Sequence, residues 1–146
     1  MKPAQYFALT IGIIYVVLGI AGLLPNALET AEATNLAVDP DLRVGFGYLF
    51  GILPVNNLSS GINLIIGLTG MVAAIALDSS RAFSGLLGIL MTLGAILGLI
   101  PFANTLFGLT PLFGTNVILH FATAAVAIYF GFIKTPDLLE LSDSQA

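Results

Sequence analysis

One side chain in this sequence can exchange a proton near neutral pH, His120, and it stands inside an apolar stretch, not in a polar loop. It closes the run Thr115-Asn116-Val117-Ile118-Leu119-His120, which follows Leu106-Phe107-Gly108-Leu109-Thr110-Pro111. The Leu-Phe-Gly-x-x-Pro pattern also occurs 57 positions earlier, as Leu49-Phe50-Gly51-Ile52-Leu53-Pro54, and the same offset sets Asn63 against His120.

An imidazole in such a place has two uses. It can tie its helix to a connecting segment through one hydrogen bond, or it can coordinate a metal or a tetrapyrrole metal centre. Zinc needs several protein ligands, and the apolar runs hold no carboxylate, so no metal site is expected. A single axial bond to a chlorophyll or another tetrapyrrole is the less demanding form of ligation. Asn63 belongs to a polar level with Asn56, Asn57, Ser59, Ser60 and Asn116. Such groups cap helix starts and bond between helices. The alternative is a small polar pocket between the second and fourth helices, with His120 and Asn63 as its candidate binding residues. Arg43 beside Asp39 and Asp41 reads as a solvated loop cluster. No catalytic constellation is present, and a non-enzymatic protein is expected.

The elements that must position these residues follow from composition. Of 146 residues, 58% are hydrophobic and 8% charged, against about 25% charged in a soluble domain. Too few polar groups remain to cover a globular surface, so lipid is the expected solvent. Three runs carry no charge: Pro3 to Leu28, Val44 to Leu77, and Ala82 to Ile133. A membrane helix takes roughly 20 apolar residues, and the runs do not alternate as barrel strands would. The expectation is an all-α polytopic protein, a single domain over residues 1–146, with four transmembrane helices near Gln5–Leu24, Leu58–Leu77, Ala82–Ile100 and Val117–Ile133. The first run exceeds the apolar core of a secretory signal and is expected to stay as a span. With no cysteine there is no disulfide or thiol chemistry. The net charge of −4 argues against nucleic acid as a partner.

Between the helices, an acidic loop over about 27–45 is expected to hold at most short interfacial turns, from Leu28 to Ala33. Gly45 to Pro54, broken by three glycines and a proline, is expected in the interface or as a short half-helix. Asp78-Ser79-Ser80-Arg81 reads as a tight turn between helices 2 and 3, and the tail over 134–146 as an acidic, frayed end. Small residues form packing stripes: Gly12, Gly19 and Gly22; Gly94 and Gly98; Thr123, Ala127 and Gly131. Gly12-Ile13, Gly22 and Pro25 recur as Gly88-Ile89, Gly98 and Pro101 at an offset of 76. This predicts two parallel two-helix repeats about an axis along the membrane normal, with broken elements before helices 2 and 4. Lys2, Arg81 and Lys134 then share one side and Arg43 lies opposite, so the positive-inside rule sets both termini in the cytoplasm.

Phe46-Gly47-Tyr48-Leu49-Phe50-Gly51-Ile52-Leu53-Pro54-Val55-Asn56, with Leu106 to Pro111 and Asn116 to His120, resembles a bacterial family of four-helix membrane proteins whose domain is of unknown function, common in cyanobacteria and actinobacteria. The resemblance covers nearly the whole chain except the acidic loop and tail. It also implies histidines at positions that this chain fills with Ser59 and Asn63, a departure that leaves His120 without a histidine partner. It brings no activity with it. What it implies is a location in a bacterial inner membrane or a cyanobacterial thylakoid.

Small size, the lack of a catalytic set and the several small-residue stripes favour an accessory or scaffolding subunit. Its partners would be the lipid bilayer and other membrane-protein subunits; in the cyanobacterial setting that the resemblance suggests, these could belong to a photosynthetic complex. The alternatives are a small channel or solute carrier acting as a homo-oligomer, and an enzyme of lipid or quinone chemistry that uses His120.

Overall fold

In a computed structural model, which describes residues 1–30 and 45–134, the first uncharged run forms helix α1, Pro3–Gly22. Proline at its first position suits the helix start, and the Lys2 backbone N–H donates to Gln5 Oε1 at 2.8 Å. Arg43, Asp39 and Asp41, with the remainder of 31–44, and the tail beyond Lys134 lie outside the described residues.

After a single turn at Pro25–Ala27 the chain becomes extended. Strand β1, Leu28–Glu29, pairs antiparallel with β2, Gly47–Leu49, which pairs antiparallel with β3, Leu53–Val55. This corrects two expectations. The fold is mostly helical, as expected, but it adds a small three-stranded sheet: Gly47 to Val55 is a hairpin and not a half-helix, and Leu28 opens a strand and not a helical turn. The chain reverses at Phe50 and Gly51, both with positive φ (52° and 72°), the backbone that a tight hairpin turn requires. Gly47 lets Leu28 lie against the middle strand, since a Cβ there would come within 3.0 Å of the Leu28 Cβ.

Helix α2, Asn57–Ala73, runs back along α1. The turn to α3, Leu77–Leu99, is made by the three apolar residues 74–76, so Asp78, Ser79, Ser80 and Arg81 belong to the helix and not to the expected charged turn. The cause is visible in the serines. Ser79 and Ser80 donate to the Ala73 and Ala76 carbonyls at 2.7–3.0 Å, closing the end of α2 onto the start of α3. Asp78 in the first turn also complements the helix dipole. Residues 101–110 form a chain of turns, and α4, Thr115–Ile128, continues through a wider π-type turn, Tyr129–Ile133.

Three of these helices, α1, α3 and α4 with its extension, are long and apolar enough to cross a membrane, and α2 is a shorter apolar helix of 17 residues. Their outward faces carry Ile, Leu, Val and Phe, as lipid demands: Ile65, Val72 and Ile118 are each about two-thirds exposed. The chain is a membrane protein.

The helices pack chiefly as two pairs, α1 on α2 and α3 on α4, with α1 also on α3. Small residues set the approach. A Cβ on Gly12 would meet the Gly67 carbonyl and Met71 amide at 2.8 Å; one on Gly88 would meet Ile128 Cγ1 at 2.8 Å. Gly22 lies against Ser60, Gly98 against Leu112 and Val117, and Gly131 against Gly85. Residues buried on α1 are Ala4, Ala8, Gly12, Tyr15, Gly19 and Gly22. Ser80, Ser84, Gly88, Met91, Ala95 and Gly98, each 76 positions later, are buried on α3.

Candidate functional site

The two connections at the far end of the bundle from Lys2 are stitched together by side chains at the starts of α2 and α4. Asn56 caps α2: its Oδ1 accepts from the Ser59 amide, and its own amide donates to Ser59 Oγ, both at 2.8 Å. Its Nδ2 then donates to the Leu109 carbonyl at 2.8 Å. In the other direction, Thr115 Oγ1 donates to the Ile52 carbonyl at 2.6 Å. Between these, the buried Asn116 amide donates to the carbonyls of Pro54 at 2.7 Å and Pro111 at 2.8 Å. One amide bonded to both prolines holds the two Leu-Phe-Gly-x-x-Pro segments at the same end of the bundle.

Beneath this layer lies a cavity of about 80 Å³. Ser59 and Asn63 reach it from α2, Asn116 and His120 from α4, and Pro54 and Pro111 roof it. Met91 of α3 and Ile66 of α2 also contribute to its wall. The structure therefore brings His120 and Asn63 onto one cavity. It separates the rest of the expected polar level. Asn57 is exposed and lies beside Gly45, while Ser60 is buried between α1 and α2 against Gly22, its Oγ without a partner.

His120 packs its ring on Gly94 of α3, where a Cβ would come within 3.0 Å of Nδ1. Nδ1 is enclosed against the Gly94 backbone with no hydrogen bond of good geometry. The expected tie from His120 to a connecting segment is not made. Nε2 retains accessible surface. Asn63 is half-buried, and its amide makes no side-chain hydrogen bond. Two polar side chains able both to donate and to accept thus share one small space. Among the described residues no three His, Cys, Asp or Glu side chains cluster as metal ligands. The cavity is well below the roughly 300–1,000 Å³ of sites for drug-sized ligands and cannot enclose a tetrapyrrole, so axial ligation by His120 would need the macrocycle to lie outside the bundle.

The residues that sequence reasoning missed here are Gly94, Met91 and Thr110. Gly94 had a signal, its place in the Gly94-x-x-x-Gly98 stripe, but nothing in the sequence pairs it with His120. Met91 had one too, standing 76 positions after Tyr15.

No curated protein and no solved structure matches the chain. The sequence pattern of a family described as Domain of unknown function (DUF4383) matches residues 5–133. That span takes in all four helices but for the first two residues of α1, both Leu-Phe-Gly-x-x-Pro segments and every residue of the cavity, and the chain belongs to the DUF4383 family.

Proposed function

We propose that the protein is a non-enzymatic, four-span integral membrane protein whose cavity between α2 and α4 holds a small hydrogen-bonding solute. The observation that carries this reading is the pair of unbonded polar side chains, His120 and Asn63, on the wall of one cavity. A polar or ionisable side chain within a span marks a ligand or ion path by default. A solute of a few non-hydrogen atoms that both donates and accepts fits the size and the chemistry. This is the reading closest to a small channel or solute carrier.

The architecture belongs to the same proposal: two copies of one two-helix unit, related by an axis along the membrane normal. Its support is the common burial register of α1 and α3, and the contact pairs Gly12 with Met71 and Gly88 with Ile128, which correspond under offsets of 76 and 57. The turns correspond in part: Phe50 and Gly51 have positive φ, as do Phe107 and Gly108, but Leu106 also has positive φ where its counterpart Leu49 ends a strand. Orientation follows from the cations. Lys2, Arg81 and Lys134 lie at one end, which the positive-inside rule assigns to the cytoplasm, in a bacterial inner membrane or thylakoid.

The test uses the fact that the chain has one histidine. Protein labelled with ¹⁵N-histidine in lipid nanodiscs gives a single pair of ring-nitrogen signals, to be followed against a panel of small neutral and ionic polar solutes. At least one solute is expected to shift them in the wild type and not in Asn63→Leu. A panel that leaves the ring signals unmoved in the wild type overturns the reading.

A second reading, an accessory subunit packed against other membrane-protein subunits, is favoured by Phe50 and Phe107, which stand 65% and 77% exposed on their turns. The small-residue stripes lend it less support than the sequence suggested, because Gly12, Gly19, Gly22, Gly98 and Gly131 are all used inside the bundle. Co-migration with a large complex on a native gel in mild detergent would favour it; migration alone or as a small homo-oligomer would count against it.

A further inference from the structure

The cations at the opposite end of the bundle are not scattered. Lys2, Arg81 and Lys134 stand 79 and 53 positions apart in sequence and come from three helix ends, yet they border one shallow concavity floored by Ala4, Leu77 and Phe130. Arg81 is the centre of this group. It is half-buried, it follows the fully buried Ser80, and its Nε is enclosed with no hydrogen-bond partner. Asp78, three residues earlier and exposed, makes no ion pair with it.

We propose that this concavity seats the phosphate of an anionic phospholipid, with the Arg81 guanidinium as the main donor and the Lys2 and Lys134 ammoniums beside it. Four physical arguments lead there. An enclosed guanidinium N–H without an acceptor is unfavourable, and the group demands an anion. A guanidinium offers forked donors that match phosphate oxygens. The residues sit at the ends of apolar helices, which is headgroup depth, where basic pockets between helices hold anionic lipids. Finally, Tyr6, Phe132 and Ile133, all more than half exposed, offer apolar surface at the same end for the acyl chains. Inorganic phosphate shares the headgroup chemistry but has nothing to lay on that surface. The site is at the other end of the molecule from the His120 cavity and does not depend on it.

The experiment is native mass spectrometry of the full chain released from nanodiscs of equal parts phosphatidylcholine and phosphatidylglycerol. The wild type is expected to retain phosphatidylglycerol in preference. Arg81→Gln should weaken the preference about fivefold, the scale of one basic residue at an anionic surface, and Lys134→Gln should also weaken it. Lys134 follows the last helical turn, so its variant stands in should Arg81→Gln fail to fold. Asp78→Asn serves as the control for diffuse charge and should change the preference little. The proposal is overturned if the wild type shows no preference, if both glutamine variants keep it, or if Asp78→Asn raises it as much as Arg81→Gln lowers it. Loss of the retained lipid to millimolar inorganic phosphate would assign the seat to free phosphate and overturn the lipid assignment.

Discussion

The Tyr15 hydroxyl lies 3.4 Å from the Met91 sulfur and 3.2 Å from Thr123 Oγ1, buried where α1, α3 and α4 meet. Met91 stands 76 positions after Tyr15, the offset that also relates the buried small residues of the two helices. Under the duplication proposed above, these two residues are counterparts in contact, which is possible only beside the axis that relates the units. Thr123 donating to the tyrosine oxygen, with the tyrosine donating to sulfur, satisfies both hydroxyls. Tyr15→Phe removes both bonds. It should cost about 0.5–2 kcal/mol, the range measured for hydrogen bonds between membrane helices, as read by denaturant unfolding in detergent. Met91→Leu conserves volume and should cost less than about 1.5 kcal/mol. A Tyr15→Phe variant as stable as the wild type would mean that this contact does not hold the two units together.

Glycines on the bundle should divide sharply by what lies opposite. A Cβ on Gly12 would come within 2.8 Å of backbone atoms of Gly67 and Met71, and backbone cannot step aside as a side chain can. Gly12→Ala should therefore push α1 off α2 and lower the unfolding midpoint. Gly61, in α2, has nothing within 4 Å of its Cβ position. Gly61→Ala should be neutral or stabilising, by up to about 1 kcal/mol from helix propensity. The opposite order of the two midpoints would show that α1 and α2 do not pack through this face.

The difference between what could be read from sequence and what could not has a physical basis. The helices announce themselves because lipid forces a span to be uncharged along its whole length, and the runs from Pro3 and from Ala82 show it. The hairpin is hidden because strands of two or three residues leave no alternation to read, and Phe50 gives no sign of a left-handed backbone. The turn at residues 74–76 is hidden in the sequence because Asp78 and Arg81 look like loop residues, whereas Ser79 and Ser80 use their hydroxyls to join two helix ends. For the cavity, Asn63 and His120 could be found from their common place after Pro54 and Pro111. Gly94 beneath the ring could not, since an apolar contact surface carries no chemical signature. The Lys2, Arg81 and Lys134 cluster was legible as a side of the membrane but not as one concavity.

Orientation can be tested with single cysteines, because the chain has none of its own. Ser80 is fully buried and unsuitable, but Ser79 beside it is exposed, as is Asn26 at the other end of the bundle. In sealed cells a membrane-impermeant maleimide should label Asn26→Cys from outside and Ser79→Cys only after the cytoplasmic side is opened. Reversed labelling would place Lys2, Arg81 and Lys134 on the non-cytoplasmic side, against the positive-inside rule.

The two phenylalanines on the turns give the last prediction. Phe50 and Phe107 adopt φ of 52° and 58°, a left-handed backbone that costs an ordinary L-residue roughly 1–2 kcal/mol. Each is followed by a glycine with positive φ, which carries no such cost, so the strain of each turn falls on the residues before it: Phe50 in the first, Phe107 with Leu106 (φ 47°) in the second. Strained positions that persist cluster where function holds them. Here both rings face outward, 65% and 77% exposed, as aromatic side chains do where they anchor a protein in the headgroup region or meet a neighbouring subunit. Phe50→Gly and Phe107→Gly should each relieve the backbone and raise stability in detergent by about 0.5–1.5 kcal/mol. The same variants should weaken whatever the rings engage, read as a loss of co-migration on a native gel under the accessory-subunit reading. A loss of stability in both variants would show instead that the exposed rings are held by contacts within the fold, and that their backbone is not under strain.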